Sequence, residues 1–241
     1  MNFSLQETMP EGKYAIIGLG QFGSSVARNL AGLGAEVMAI DRELELVDLI
    51  KDDVAYAVAL DSTDVKSLKS QSITEMDAVL VAIGENVEGL LLTTVLLLEM
   101  KVKRIIARAM SEQQKVILQK LGVTEILLPE DEVGKMTAEM ILNPEIQSFM
   151  QLPDEHEIVE VLAPKRTIGK FIDDLDLEGT FNAEIIALRR THEEVNALGF
   201  VEFRDHLIRH PKEVNSTIQK GDRLVILAKK VDIQKFIDIN N

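Results

Sequence analysis

The stretch "YAIIGLGQFGSSVARNL", Tyr14 to Leu30, decides how the rest of the chain is read. An apolar run with no polar alternation is what a strand covered on both faces looks like. It breaks at Gly18, Gly20 and Gly23, spaced as G-x-G-x-x-G, and a helical pattern follows at once. In such a turn the first glycine permits the tight bend. The second lets a pyrophosphate approach the backbone, and the third lets helix and strand pack closely. The phosphates then face unpaired N–H groups and the positive end of the helix dipole. Asp41 lies 18 residues after Gly23, at the end of the next apolar run, where a carboxylate accepts hydrogen bonds from ribose hydroxyls. The combination predicts nucleotide binding, and Asp41 would repel a 2′-phosphate, so NADP is disfavoured.

Working outward, short apolar runs alternate with helical patterns as far as about residue 130. "YAIIG" (14–18), "EVMAI" (36–40), "AYAVAL" (55–60), "AVLVAIG" (78–84), "RIIARA" (104–109) and "EILLP" (125–129) read as six strands. Alternation of this kind predicts an α/β, Rossmann-like, doubly wound parallel sheet. Residues 131–152 read as one or two helices interrupted at Pro144, because proline cannot continue a helix interior. The polar link "PDEHE" (153–157) is the expected boundary: a leader over 1–12, a nucleotide-binding domain over 13–152, and a small α+β domain over 153–241. In the latter, strands are expected at 158–164, 183–190 and 222–228, helices at 167–177 and 230–239, and a long loop from 191 to 217.

Composition narrows the function. The chain has 241 residues, 46% of them hydrophobic, and no cysteine, which excludes disulfides and thiolate chemistry. A formal net charge of −14 argues against nucleic acid as a partner, since a phosphate backbone needs a basic face. The most apolar run, 89–100, falls short of the roughly 20 residues a spanning helix needs. No signal peptide is read at the start, and a soluble protein is expected.

At the end of the third strand, "LDSTD" places Asp61, Ser62 and Thr63 at the carboxyl edge of the sheet. These short polar groups suit an adenine or ribose edge. Equally, Thr63 or Asp64 suits the N-cap of the next helix, and the two readings are compatible. Other constellations are weaker. His206 and His210 would share a helix face at zinc spacing, but the segment is not clearly helical and no metal site is expected. Asp173, Asp174 and Asp176 lack calcium-loop spacing. Ser24 and Ser25 have no histidine in their domain to activate them. A dehydrogenase would need a proton donor from the second domain, and none stands out there.

Taken together, "IIGLGQFG…AIDRE…LDSTD…VAIGENVEGLLLTTVLLLE…ILLPEDEVG" resembles the N-terminal domain of the regulators of potassium conductance, the TrkA and KtrA-type subunits of bacterial potassium uptake systems. "EIVEVLAPKRTIGKFIDDLDL…AEIIALRR…IQKGDRLVILA" is similar to the family's C-terminal ligand-binding domain. The resemblance implies a non-enzymatic cytoplasmic subunit at the inner membrane, held there by a potassium channel or transporter. It implies homodimers assembled into a ring of eight. It also implies that Gly18, Gly20, Gln21, Phe22 and Gly23 hold the phosphates of NAD, NADH, ADP or ATP. Asp41 would meet the ribose, Asp61 with Thr63 the adenosine end, and Glu130 the polyphosphate next to a neighbouring subunit, with Arg42 and Ser62 counted among the cofactor-binding residues beside them. The helices after Glu130 correspond to the segment that pairs two subunits, and the C-terminal domain to one that in some relatives binds cyclic di-AMP. One departure stands out: Gln21 occupies the place where KtrA-type members carry arginine. Glutamine lacks the charged fork that reads a terminal phosphate, so NAD(H), ADP or AMP gains on ATP. Arg28 is a candidate substitute, against its plainer reading as a solvated helix residue. The alternatives are an NAD-dependent oxidoreductase, or a stand-alone nucleotide sensor with a non-channel partner.

Overall fold

The computed structural model describes residues 12–195, 199–211 and 217–241, so all but the last residue of the 1–12 leader lies outside the described residues. In chain order the elements are β1 (Lys13–Ile17), α1 (Gln21–Gly32), β2 (Glu36–Asp41), α2 (Leu44–Asp48), β3 (Tyr56–Ala59), α3 (Val65–Ser70), β4 (Ala78–Val81), α4 (Val87–Glu99), β5 (Ile105–Arg108), α5 (Glu112–Leu121), β6 (Glu125–Leu127) and α6 (Pro129–Leu142). There follow β7 (Ile146–Gln151), β8 (His156–Leu162), α7 (Leu177–Phe181), β9 (Glu184–Val195), β10 (Val201–Arg209), β11 (Arg223–Lys229) and α8 (Lys230–Asn240).

Two compact units result, one ending at Asp131 and the other beginning at Glu132. The first holds a six-stranded sheet in the order β3-β2-β1-β4-β5-β6, every pair parallel. β4 is buried along its whole length, as its unbroken apolar run requires. Two apolar clusters are built on this sheet. Ile17, Val79, Val81, Leu90 and Leu97 belong to one, and Ile16, Ala27, Val37 and Leu80 to the other. Helix ends follow local chemistry: Asp64, Asn86 and Ser111 accept N–H bonds at the starts of α3, α4 and α5.

The second unit is a five-stranded antiparallel sheet, β10-β9-β11-β8-β7, with α8 packing Ile233, Phe236 and Ile237 into its core. Inside it, Arg190 makes a two-pronged pair with Asp222 at 2.8 and 2.7 Å, and Asp222 is 1% exposed. Arg190 also donates to the Thr217 carbonyl at 2.8 Å.

Four expectations for this half need correction. Residues 146–151, read as helix, form β7, because α6 has already ended at Leu142, two residues before Pro144. The link at 153–157 therefore lies inside the second unit, between β7 and β8. No regular helix spans 167–177: Gly169 (φ +84°) and Asp176 (φ +42°) leave the right-handed region, so only short 3₁₀ turns and then α7 form. The long loop from 191 is largely a hairpin, β9 running on to Val195 and β10 pairing with it from Val201 to Arg209. His206 accordingly sits on a strand and His210 just beyond it, so the pair shares no helix face.

Candidate functional site

The order of the first sheet reverses between β1 and β4, and in open α/β sheets a crevice forms at that point beyond the carboxyl ends of the strands. Here a cavity of about 930 Å³ opens at this place, lined by Gly18, Gly20, Gln21, Phe22, Asp41, Arg42, Asp61, Ser62, Thr63 and Glu130 among others. The structure thus brings together every site residue read from the sequence except Gly23, which lies buried behind the turn.

The three glycines are needed for different reasons. Gly18 has φ +98°, a conformation that favours glycine. At Gly23 a Cβ would stand 1.8 Å from the Gly18 carbonyl oxygen, so helix and turn close only on a bare backbone. At Gly20 nothing lies within 4 Å of where a Cβ would be. The fold does not demand glycine there; the position faces open space in the crevice. Gly20 is also the N-cap of α1 and has no side chain to satisfy the first N–H groups of the helix, which leaves them for an anion.

Asp41 does more than the sequence shows. One carboxylate oxygen accepts the Leu19 N–H at 2.7 Å, tying the glycine turn to β2, and the other accepts the Glu43 N–H at 2.9 Å. A carboxylate offers about four lone-pair sites, so acceptor capacity for a ribose diol remains. Ser24, set aside as a nucleophile, donates its hydroxyl to the Leu19 carbonyl at 2.7 Å and so braces the same turn.

Across the crevice, Asp61 accepts both the hydroxyl (2.7 Å) and the N–H (2.8 Å) of Thr63, and these bonds hold its carboxyl below the usual carboxylate range. Ser62 shares a hydrogen bond of 2.8 Å with Thr93 of α4 and is 8% exposed, which anchors the loop to the core. The helix-cap reading of this stretch holds for Asp64, which caps α3 through the N–H groups of Lys66 and Ser67.

Arg108 is the residue that sequence reasoning missed. Its only local signal is a cation closing the otherwise apolar strand "RIIARA" (104–109). Its side chain is 13% exposed, and its guanidinium lies 5.3 Å from the ring centroid of Phe22 and donates to Glu130. The buried Arg108 Nε has no acceptor among the described residues. Glu130 stands in the first turn of α6, and its own N–H, followed by Arg108, holds its carboxyl below the ordinary glutamate range. Arg28, weighed as the replacement for an arginine at position 21, is committed elsewhere. It donates to Asp53 at 2.7 Å and to the Leu49 carbonyl at 3.3 Å. The cations lining the crevice are Arg42 and Arg108, against six carboxylates: Asp41, Glu43, Asp61, Glu85, Glu88 and Glu130. Among the described residues no group of three His, Asp or Glu side chains is arranged to hold a metal, and no helix is long and apolar enough to cross a membrane.

Residues 14–129 match the TrkA-N domain family. The chain is 32% identical over 224 residues to the Ktr system potassium uptake protein C of Bacillus subtilis (strain 168), covering 93% of this chain and 95% of that protein. With the Ktr system potassium uptake protein A of the same organism it shares 31% identity over the same coverage. Among solved structures, the GsuK channel bound to NAD superposes with a TM-score of 0.60 at 12% identity, over 95% of this chain and 39% of that one, a likeness of fold.

Proposed function

This chain belongs to the family of the Ktr potassium uptake proteins and carries their TrkA-N domain, and from that premise we propose that it is a regulatory subunit that senses an adenine nucleotide and biases a membrane potassium transporter. The observation that carries the reading is the open space at Gly20, set against the start of α1 at the point where the strand order reverses. A pyrophosphate fits there without displacing any side chain, Asp41 takes the ribose, and the Asp61–Thr63 turn borders the adenosine end.

Charge supports a ligand with few negative groups. Six carboxylates against two guanidinium groups repel a triphosphate more than a dinucleotide, and Gln21 brings no cation. Arg108 takes over the phosphate contact, held on Phe22 and released in part from Glu130 when an anion arrives. NAD(H) or ADP is therefore the preferred occupant, as NAD is the ligand of the GsuK channel structure.

The output is a shift in population. A ligand moves an equilibrium only by its difference in affinity for the two shapes, typically about 1–3 kcal/mol per site. Glu130 opens α6, a helix with no buried residue that exposes Val133, Ile141 and Leu142. Such a surface suits contact with a second subunit, so ligand at Arg108 and Glu130 is coupled to assembly through this helix. The test is calorimetric titration of the full-length protein with NAD, NADH, ADP and ATP, alongside small-angle scattering with and without each. Binding that favours NAD(H) or ADP over ATP and changes the scattering profile is expected. Absence of binding by all four, or binding with no change of shape, would refute the proposal.

A further inference from the structure

Spacing in the sequence sets His206 with His210, but the fold sets it beside His192. β10 runs antiparallel to β9 with Arg204 opposite His192 and His206 opposite Arg190. Residues directly opposed, and those two apart along one strand, share a face. The two histidines are therefore diagonal neighbours on one face of the hairpin, with ring centroids 5.2 Å apart and ring planes at 69°. Beyond Arg190 this hairpin is an arm. From Val201 to Leu207 every residue of β10 is exposed, and so are Thr191, His192, Glu193 and Val195 on β9. A two-stranded ribbon with both faces in water is marginal by itself.

The groups around the two rings suit a cation. Glu194 and Glu202 lie on the same face, directly across from each other. The Arg204 guanidinium is turned to these carboxylates, 3.3 Å from Glu194 and 3.8 Å from Glu202. His206 Nε2 is 3.3 Å from Glu194 Oε1. An ionised carboxylate only accepts, so this bond places the imidazole proton on Nε2 and leaves His206 Nδ1 bare. A histidine that binds a metal is oriented in the same way, its second ring nitrogen donating to a carboxylate.

We propose that His192 and His206 hold one divalent transition-metal ion of the zinc class between β9 and β10. His206 binds it through Nδ1, Glu194 orients that ring, and water fills the remaining positions. Zinc sits about 2.0–2.1 Å from an imidazole nitrogen, so two rings sharing a tetrahedral ion have centroids roughly 5 Å apart. The separation here matches. The rings meet edge to face, so the adjustment the ion requires is a turn about χ2, whose wells are broad for histidine. Among the described residues no third His, Asp or Glu is arranged as a ligand, which makes this a two-donor site, unlike the four-ligand centres of structural zinc. Imidazole donors select zinc, copper or nickel; magnesium and calcium require oxygen. The ion joins the two strands of an arm that has no core of its own.

Equilibrium dialysis of the untagged full-length protein against zinc tests the site, with backbone hydrogen exchange as a second readout. The parent is expected to take up one ion per chain more than His192→Ala or His206→Ala does. Zinc is expected to slow exchange in β9 and β10 of the parent and to leave it unchanged in those two variants. Glu194→Gln is expected to weaken uptake about tenfold. His156→Ala combined with His210→Ala is expected to bind as the parent does, and magnesium to leave the arm's exchange as it was. His192 and His206 are both exposed, and circular dichroism matching that of the parent confirms that each variant is folded. Any of four results would overturn the site. They are exchange in the parent's arm that ignores zinc, uptake undiminished in His192→Ala and His206→Ala, parent-like affinity in Glu194→Gln, or a response to magnesium equal to that to zinc. The second of these would place the ion at other donors, such as the carboxylates of the nucleotide crevice.

Discussion

Replacing Gly20 by alanine separates what the fold requires from what a ligand requires. Gly20 has φ −62° and ψ −174°, extended backbone open to any residue, and a Cβ there has no neighbour within 4 Å. Two terms of similar size act on the unliganded protein. Losing glycine's freedom in the unfolded chain stabilises by about 0.4–1 kcal/mol. Alanine is a poorer N-cap than glycine by roughly 0.5–1 kcal/mol. The net change is expected to lie within about 0.5 kcal/mol of zero. Gly23→Ala is the contrast: its Cβ would fall 1.8 Å from a backbone oxygen, so α1 must move off β1, at a cost of about 4 kcal/mol or more. For the nucleotide the order is reversed. The methyl added by Gly20→Ala would enter the space proposed for the pyrophosphate and is expected to weaken binding at least tenfold, about 1.4 kcal/mol. Urea unfolding without ligand and calorimetric titration of NAD and ADP measure the two effects. An unliganded Gly20→Ala protein that loses several kcal/mol would make this glycine structural. Parent-like affinity would put the pyrophosphate elsewhere.

Asp41→Ala is expected to lower stability without any ligand by about 2–3 kcal/mol, because two N–H groups lose a charged acceptor, while Asp41→Asn loses about half as much; urea unfolding checks both. Glu130 gives a pH dependence of definite sign. Its own backbone N–H, and after it Arg108, hold its carboxyl below the ordinary value in the folded protein, so these contacts contribute fully above the unfolded pKa, about 4.3, and their contribution fades as pH falls through the lower folded value. The stability difference between parent and Glu130→Gln is expected to be constant above the ordinary glutamate range and to shrink as pH falls below it. It should not exceed about 1 kcal/mol, since the carboxylate is more than half exposed. In the second unit, Arg190→Met strands the buried Asp222 carboxylate and is expected to cost about 3–5 kcal/mol in the unfolding transition of that unit.

The strand, turn and helix from Lys13 to Gly32 are legible because their signal is local. An apolar run, three glycines and a helical period lie within one short stretch, and Asp41 closes the next strand. The parallel strands are legible for a related reason: β4 is buried along its whole length and reads as an unbroken apolar run, and the other strands carry short apolar runs around it. The hairpin arm fails the same test in the opposite sense. With both faces in water it shows no apolar run, its alternation at Val201, Phe203 and Leu207 is broken at Asp205, and it reads as loop. At β7 the proline marked the end of the helix and carried no information about what came next.

Residue types, their spacing and the family resemblance settled the fold class and most of the residues named at the crevice, Arg108 excepted, because a dinucleotide-type turn is built from neighbours in sequence. Tertiary structure alone decided which of those groups are already engaged. Asp41 braces the Leu19 N–H, Ser62 is turned to Thr93, and Arg108 is set between Phe22 and Glu130. These contacts join residues that are 22 to 86 positions apart, and strand order brings them together. No local pattern records which strands become neighbours, since that depends on how all the apolar surfaces are buried at once.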